Sequence, residues 1–182
     1  ILVSEVMLQQ TQADRVKTKY HDFLGAFPDF ETLAAAPLID VLSMWQGMGY
    51  NRRAVALQRI AQIVVEEYGG TLPQDVETLV KLPGIGEATA AAIAVYAFNK
   101  PAVYIETNIR RIVIHFFFRD RTDVRDSEIE PIVQRTLYME NPRLWYNSMM
   151  DYGTWLKMRE QNPNRRSSKY RKQSPFEGSN RQ

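Results

Sequence analysis

Three places in the sequence put groups capable of chemistry where local structure could use them. Residues 102–111, AVYIETNIRR, end an apolar run in a carboxylate, Glu106, followed by two helix-capping residues, Thr107 and Asn108, and by paired arginines, Arg110 and Arg111. A carboxylate at a helix N-terminus is favoured by the helix dipole, so Glu106 is expected to stay ionised, either as a cap alone or as a group with chemistry to do. Residues 82–86, LPGIG, place Gly84 and Gly86 on either side of Ile85. Both glycines are expected to take backbone angles closed to other residues and to leave amide N–H groups uncovered at the start of the next helix, a ready phosphate site. Between Lys157 and Lys172, seven bases stand against one acid, so this stretch carries +6 and the rest of the chain −4. Such a run is either a phosphate footprint or a solvated tail.

The elements that must position these groups read as helix almost throughout. SEVMLQQTQADRVKTKYHDFLGAF carries Val6, Val16, Tyr20, Phe23 and Leu24 mostly on one helical face and reads as a single helix. Asp29 is expected to cap the next helix and Pro37 to stop it. LIDVLSMWQGMGY ends at glycines 47 and 49, and RRAVALQRIAQIVVEEYGG is a long amphipathic helix closed by Gly69 and Gly70. One helix then ends at Leu82, Pro83 turns the chain, and a slim alanine-rich helix begins near Glu87, with Ile85 expected to tuck inward as an anchor. Further helices are expected at 108–118, at 127–139 with Ser127 and Glu130 as a capping box, and at 141–158. Nothing alternates with period two over more than a few residues, and the sequence after Asn162 reads as loop or extended tail. The fold class is all-α.

Composition narrows the function further. At 45% apolar and 24% charged over 182 residues, the chain has the balance of an ordinary globular protein. No apolar run approaches the ~20 residues that cross a bilayer, so no membrane role is expected. The absence of cysteine excludes disulfides, thiolate metal sites and iron–sulfur clusters in this chain. His21 and His115 are isolated, without the paired spacing of a metal site, and no cofactor is expected. Trp45, Trp145 and Trp155 are expected to serve core packing. The chain opens on ILVSEV without a methionine, as a fragment would.

For a bare GxG, a plain helical corner is the simpler reading. The Leu-Pro ahead of it and the alanine-rich helix behind favour a helix-hairpin-helix turn that grips DNA backbone without reading sequence. With that motif in place the chain resembles the helix-hairpin-helix superfamily of DNA base-excision glycosylases, most nearly the adenine DNA glycosylase (MutY) branch. The resemblance runs in order through SEVMLQQTQ (4–12), MWQGMGYNRRAVAL (44–57), GGTLPQDVETLVKLPGIGEATAAAI (69–93), ETNIRR (106–111) and MMDYGTWL (149–156). It implies two helical lobes with duplex DNA bound across a cleft and an extruded base in a pocket between them. The lobes would be 1–105 and 106–160, the second lacking a contribution from a segment ahead of residue 1. Residues 161–182 would form a basic tail.

The resemblance also implies roles. Glu5 falls where the adenine-removing branch has the carboxylic acid that protonates the leaving base. Gln9 and Gln10 fall where the family fills the gap left by the flipped nucleotide, and Tyr50 and Asn51 in the loop that wedges the duplex. Leu82, Gly84, Ile85 and Gly86 belong to the phosphate-binding hairpin. Glu106 and Asn108 match the acidic residue and the asparagine of an Asp-Thr-Asn pattern. Breaking an N-glycosidic bond through an oxocarbenium-like sugar asks for an acid at the base and an anion near the sugar. Val3, Val6, Met7 and Leu8 around Glu5 could keep it protonated.

Three departures, and one position that bears on the reaction type, qualify the match. Glu106 stands where the family has aspartate, a change of about one bond length, and misplacement near an ångström can cost ~10²-fold in rate. Ala88 stands where bifunctional members carry a Schiff-base lysine, so a monofunctional enzyme is expected. The segment KMREQNPNRRSSKYRKQ replaces the cysteine-ligated cluster loop, and Arg165, Arg166 and Lys169 are expected to contact phosphate directly. The chain ends at Gln182, ahead of the domain that reads 8-oxoguanine, which leaves the opposite base open. The expected partner is double-stranded DNA with a mispaired or damaged base, met by a monomer in the cytoplasm at the nucleoid, or in the nucleus of a eukaryote. A thymine or uracil mismatch glycosylase, a non-catalytic lesion sensor and a helical interaction domain remain as rivals.

Overall fold

The first expected helix is interrupted. The structure, a computed structural model that describes residues 1–170, places Gln10 in the left-handed region (φ 55°) and splits the segment into α1 (Leu2–Leu8) and α2 (Ala13–Ala26). Left-handed backbone costs a non-glycine residue roughly 1–2 kcal/mol, so tertiary contacts must hold the break. Periodicity missed it because Val6 and Val16 are both buried and both halves face one core.

Local signals set the next elements. Asp29 accepts the Thr32 N–H at 2.7 Å and starts α3 (Phe30–Ala35). α4 (Leu38–Met44) follows Pro37, and α5 (Arg52–Tyr68) closes at Gly69. Asp75 accepts the Thr78 N–H at 2.8 Å and starts the single turn α6 (Val76–Leu79), after which the hairpin leads into α7 (Glu87–Phe98). Then come α8 (Thr107–Phe117), α9 (Asp126–Thr136), α10 (Pro142–Arg159) and a 3₁₀ turn, Pro163–Arg166. Among the described residues there is no strand, only one isolated bridge between Val124 and Ser167. The all-α class holds.

The chain divides into two units. In the first, Ile1–Tyr104 with Met139–Arg143, α1 packs on α2, α5 and α7, and α5 packs on α3 and α4. Phe23 sits edge-on to Trp45 at 5.8 Å, and both are fully buried with Met7, Leu57, Ile60 and Ile93. Each such side chain contributes about 1.5–3 kcal/mol by leaving water. The second unit, Ile105–Tyr138 with the chain from Leu144, packs α8 against α9 and the 3₁₀ turn. Ile109, Ile114, Ile129 and Tyr146 are fully buried.

Two expectations about the second unit need correction. Helix α9 begins at Asp126, not Ser127, and it is Glu128 Oε2 that accepts the Arg125 N–H at 3.0 Å. Asp126 fixes that start by accepting both Nε and Nη2 of Arg110 at 2.8 Å. The segment after Asn162 is not a free tail as far as it is described. Val124 N–H donates to Arg166 O and Ser168 N–H to Val124 O, and buried Asn164 donates to Thr107 O at 2.9 Å. Of the tryptophans, Trp45 is core, whereas Trp155 is 42% exposed beside Tyr152.

Gly153 sets the approach of α10 to α8. A Cβ there would lie 2.5 Å from Asn108 Cβ and 3.0 Å from Asn108 Cα and O. Overpacking of this kind typically costs 1–3 kcal/mol, more where backbone is the obstacle. Gly153→Ala is therefore expected to lower stability by roughly 3 kcal/mol, read by urea unfolding. An unchanged midpoint would mean that α10 shifts freely.

Candidate functional site

The hairpin is built from two buried anchors and one forced glycine. Leu82 and Ile85 are both buried, as the inward anchor requires, and Ile85 N–H donates to Leu82 O at 3.2 Å. Gly84 has φ 75°, and a Cβ on it would meet Ala56 Cβ at 3.1 Å. Gly86 corrects the expectation. Its φ is −93°, open to any residue, and a Cβ on it would meet nothing within 4 Å. Gly86 is the N-cap of α7 without a side-chain cap, so the first amides of α7 are served by no capping side chain. Gly84→Val is accordingly expected to weaken binding to any duplex about tenfold, and Gly86→Ala to leave it within about twofold. Anisotropy titration with undamaged DNA reads both, and equal effects would refute the distinction. Ala88, at the start of α7, is exposed, as is Lys81 before the turn.

In the same unit, Glu5 is half-buried on α1 between the buried Leu2, Val6 and Met7. Burial pushes its carboxyl above the ordinary carboxylate value. Gln9 and Gln10, given one role by resemblance, differ in position. Gln9 Nε2 donates to Gly84 O at 3.1 Å and to Thr89 Oγ1 at 3.3 Å, which ties it to the hairpin. Gln10 is exposed on its left-handed backbone. Tyr50 is also left-handed (φ 47°) and 39% exposed, with the Arg52 guanidinium 5.4 Å over its ring. Asn51 is exposed at the N-cap of α5.

In the second unit, Glu106 is the N-cap of α8. Its Oε1 accepts the N–H groups of Asn108 and, at 2.9 Å, of Ile109. Oε2 has no hydrogen bond among the described residues. Burial pushes the carboxyl up, and the two amide hydrogen bonds and the charges of Arg111 and Arg110 pull against that push. The expectation from sequence weighed only the pull. Asn108 is half-buried, its Oδ1 accepting from Arg111 Nη1 and its Nδ2 lying 3.7 Å from Met150 Sδ. Arg111 is 3% exposed and donates from Nη1 to Gly153 O at 2.8 Å.

The basic residues divide. Arg166 is spent on the carbonyls of Arg119 and Ile114 at the end of α8. Lys169 pairs with Asp126 at 2.6 Å while remaining 65% exposed. Arg165 is exposed; its backbone N–H donates to Asn162 O at 3.1 Å, and its guanidinium has no internal hydrogen bond among the described residues. Arg171 and Lys172 lie outside those residues. Among the described residues no group of His, Cys, Asp or Glu could hold a metal ion, and no helix is long and apolar enough to cross a membrane. Sequence reasoning named Arg111 only as one of a pair beside Glu106, and it missed Arg53 and Gly153, whose contacts with the Val6–Thr11 segment and with Asn108 lie more than 40 residues away.

Comparison with known proteins bears on this geometry. Residues 3–135 match the HhH-GPD superfamily of base excision DNA repair proteins. An adenine DNA glycosylase of Mycolicibacterium smegmatis is 42% identical over 113 residues, 62% of this chain and 39% of that protein. One from Buchnera aphidicola (subsp. Baizongia pistaciae) is 34% identical over 140 residues, 77% of this chain and 39% of that protein. The human adenine DNA glycosylase is 43% identical over 114 residues, 62% of this chain and 21% of that protein. The chain thus spans well under half the length of these relatives. Among solved structures, a thermostable thymine-DNA glycosylase superposes with a TM-score of 0.76 at 23% identity, over 89% of this chain and 76% of that one. A non-covalent endonuclease III–DNA complex gives 0.73 at 23% identity, over 87% and 75%. These likenesses agree on the fold, and the sequence match across the hairpin and the Glu106 cap assigns the family: the chain belongs to the HhH-GPD superfamily of base excision DNA repair proteins.

Proposed function

We propose that the chain is the catalytic portion of a monofunctional DNA glycosylase that extrudes a mispaired base, adenine opposite guanine or 8-oxoguanine, and hydrolyses its N-glycosidic bond. The hairpin amides of α7 and Arg165 hold phosphates, Gln10 and Tyr50 occupy the disturbed duplex, and Glu5 and Glu106 carry the chemistry. Protonated Glu5 gives its proton to the departing base as the C1′–N bond breaks, so the base leaves neutral. The anionic Glu106 offsets the positive charge that develops on the sugar. Water then adds to C1′ and loses its proton to a carboxylate, leaving an abasic site. With Ala88 exposed at the start of α7, no amine stands there to form a Schiff base, so the backbone stays uncut.

The observation that carries this reading is the divided use of Glu106. One oxygen is committed to the helix N-terminus, which fixes the group, and the other has no hydrogen-bond partner among the described residues. A second reading, a lesion sensor in which Glu106 only caps α8, draws on the same hydrogen bonds. Duplexes carrying A:G, A:8-oxoguanine, T:G and U:G pairs, incubated with the protein and then treated with hot alkali, separate the two. Strand breaks only after alkali in the adenine duplexes are expected. Breaks at T:G or U:G would reassign the base, and binding without breaks would leave the sensor.

A further inference from the structure

Arg53, at the start of α5, is 6% exposed, yet no carboxylate pairs with it among the described residues. Its charge is met by carbonyl dipoles from two turns. Nη1 donates to the carbonyls of Val6 at 3.1 Å, Met7 at 2.8 Å and Gln9 at 2.6 Å, which leave the C-terminal end of α1. Nη2 donates to Met48 O at 2.7 Å, Gly49 O at 3.2 Å and Thr11 Oγ1 at 3.0 Å. The guanidinium also lies 5.3 Å over the Trp45 ring and 5.7 Å from that of Tyr50. A planar fork can serve two sets of acceptors at once, which a lysine ammonium cannot.

Both turns hold a non-glycine residue in left-handed backbone, Gln10 in one and Tyr50 in the other. Such conformations persist only where their surroundings over-determine them, and they cluster at working surfaces. Arg53 supplies that constraint from behind, since it contacts the residues on either side of Gln10 and those just before Tyr50. Its Nε is buried without a hydrogen-bond partner among the described residues. A residue kept for stability alone would be better replaced by an apolar one, because a buried charge with an unmet donor is costly. Gln9 extends the constraint, its backbone held by Arg53 and its side chain by the hairpin carbonyl of Gly84.

We propose that Arg53 is a positioning residue of the DNA-facing surface: it locks the Gln9–Thr11 turn and the Met48–Tyr50 turn to each other, and through Gln9 to the hairpin, so that Gln10 and Tyr50 meet the duplex in fixed register. The inference rests on the functional reading above, in which these two side chains fill and wedge the disturbed base pair. It does not depend on which base is removed. Phosphate grip through the hairpin is a separate contribution to affinity, insensitive to sequence and lesion.

The test compares affinity for a duplex containing a tetrahydrofuran abasic-site analogue with affinity for the same duplex undamaged. Wild type is expected to prefer the gap. Arg53→Lys keeps the charge and reaches only one set of acceptors, so the preference should fall about tenfold with undamaged-duplex affinity within about threefold and helical content intact. Arg53→Met, where it folds, should fall further, so that the order is Arg, Lys, Met. An Arg53→Lys protein with wild-type preference, or one that loses both affinities alike, overturns the inference and leaves Arg53 a structural residue. A wild-type chain without any preference for the gap overturns the functional reading itself, and Arg53's role falls with it.

Discussion

Replacing Glu106 with glutamine is expected to lower the single-turnover excision rate by about 10³-fold, the scale at which one preorganised electrostatic group contributes to a transition state. Affinity for duplex DNA is expected to stay within about threefold, because phosphate contacts should dominate it. The substitution isolates charge from structure. Glutamine keeps an oxygen that can accept the Asn108 and Ile109 amides, so α8 retains its cap, while the anion is gone. Glu106→Asp completes the argument. It preserves charge and cap but withdraws the second oxygen by about a bond length, and a rate changed by less than tenfold would show that the backbone can accommodate either length. Single-turnover kinetics on whichever duplex wild type cuts reads all three proteins. A Glu106→Gln rate within tenfold of wild type takes this carboxylate out of the chemistry and leaves it a helix cap.

The parts of this site that were legible in the sequence are those whose cause is local. Asp29 caps the helix it precedes, and Glu106 caps α8, because an acceptor one turn ahead of free amides needs no distant partner. Leu82 and Ile85 anchor the hairpin because proline and glycine leave the chain few alternatives. The misreadings are tertiary. The break at Gln10 is invisible to periodicity, since α1 and α2 bury faces in the same core and the break is held by Arg53 from more than 40 residues away. The start of α9 moves because Arg110, 16 residues upstream, binds Asp126. A count of positive charges cannot say that Arg166 faces the end of α8, that Lys169 pairs with Asp126, or that Arg165 is left outward. Burial of Glu106 is likewise a tertiary fact, and it reversed the direction of that group's shift.

Glu5→Gln is expected to do two opposite things, and their conjunction is what marks an acid kept for chemistry. Burial raises the Glu5 carboxyl, so the folded protein holds that proton more tightly than the unfolded chain does. The stability linked to it is fully present below the unfolded value and is lost as pH rises through the folded one. At neutral pH, where the unfolded chain holds this group ionised, glutamine removes the cost of burying it, so the variant should unfold at a higher temperature than wild type. In acid, where both side chains are neutral, the gain should vanish. Excision, by contrast, should fall about 10²–10⁴-fold, the usual worth of general acid catalysis. In wild type the rate should decline on the alkaline side as Glu5 loses its proton and on the acid side as Glu106 gains one. Burial raises the Glu106 carboxyl, and two amide hydrogen bonds and two arginines oppose that rise. The residual activity of Glu5→Gln should lack the alkaline limb. A variant that is more stable at neutral pH yet equally active would make Glu5 an accident of packing, since nothing in hydrolysis would then require a carboxyl to be held at that cost.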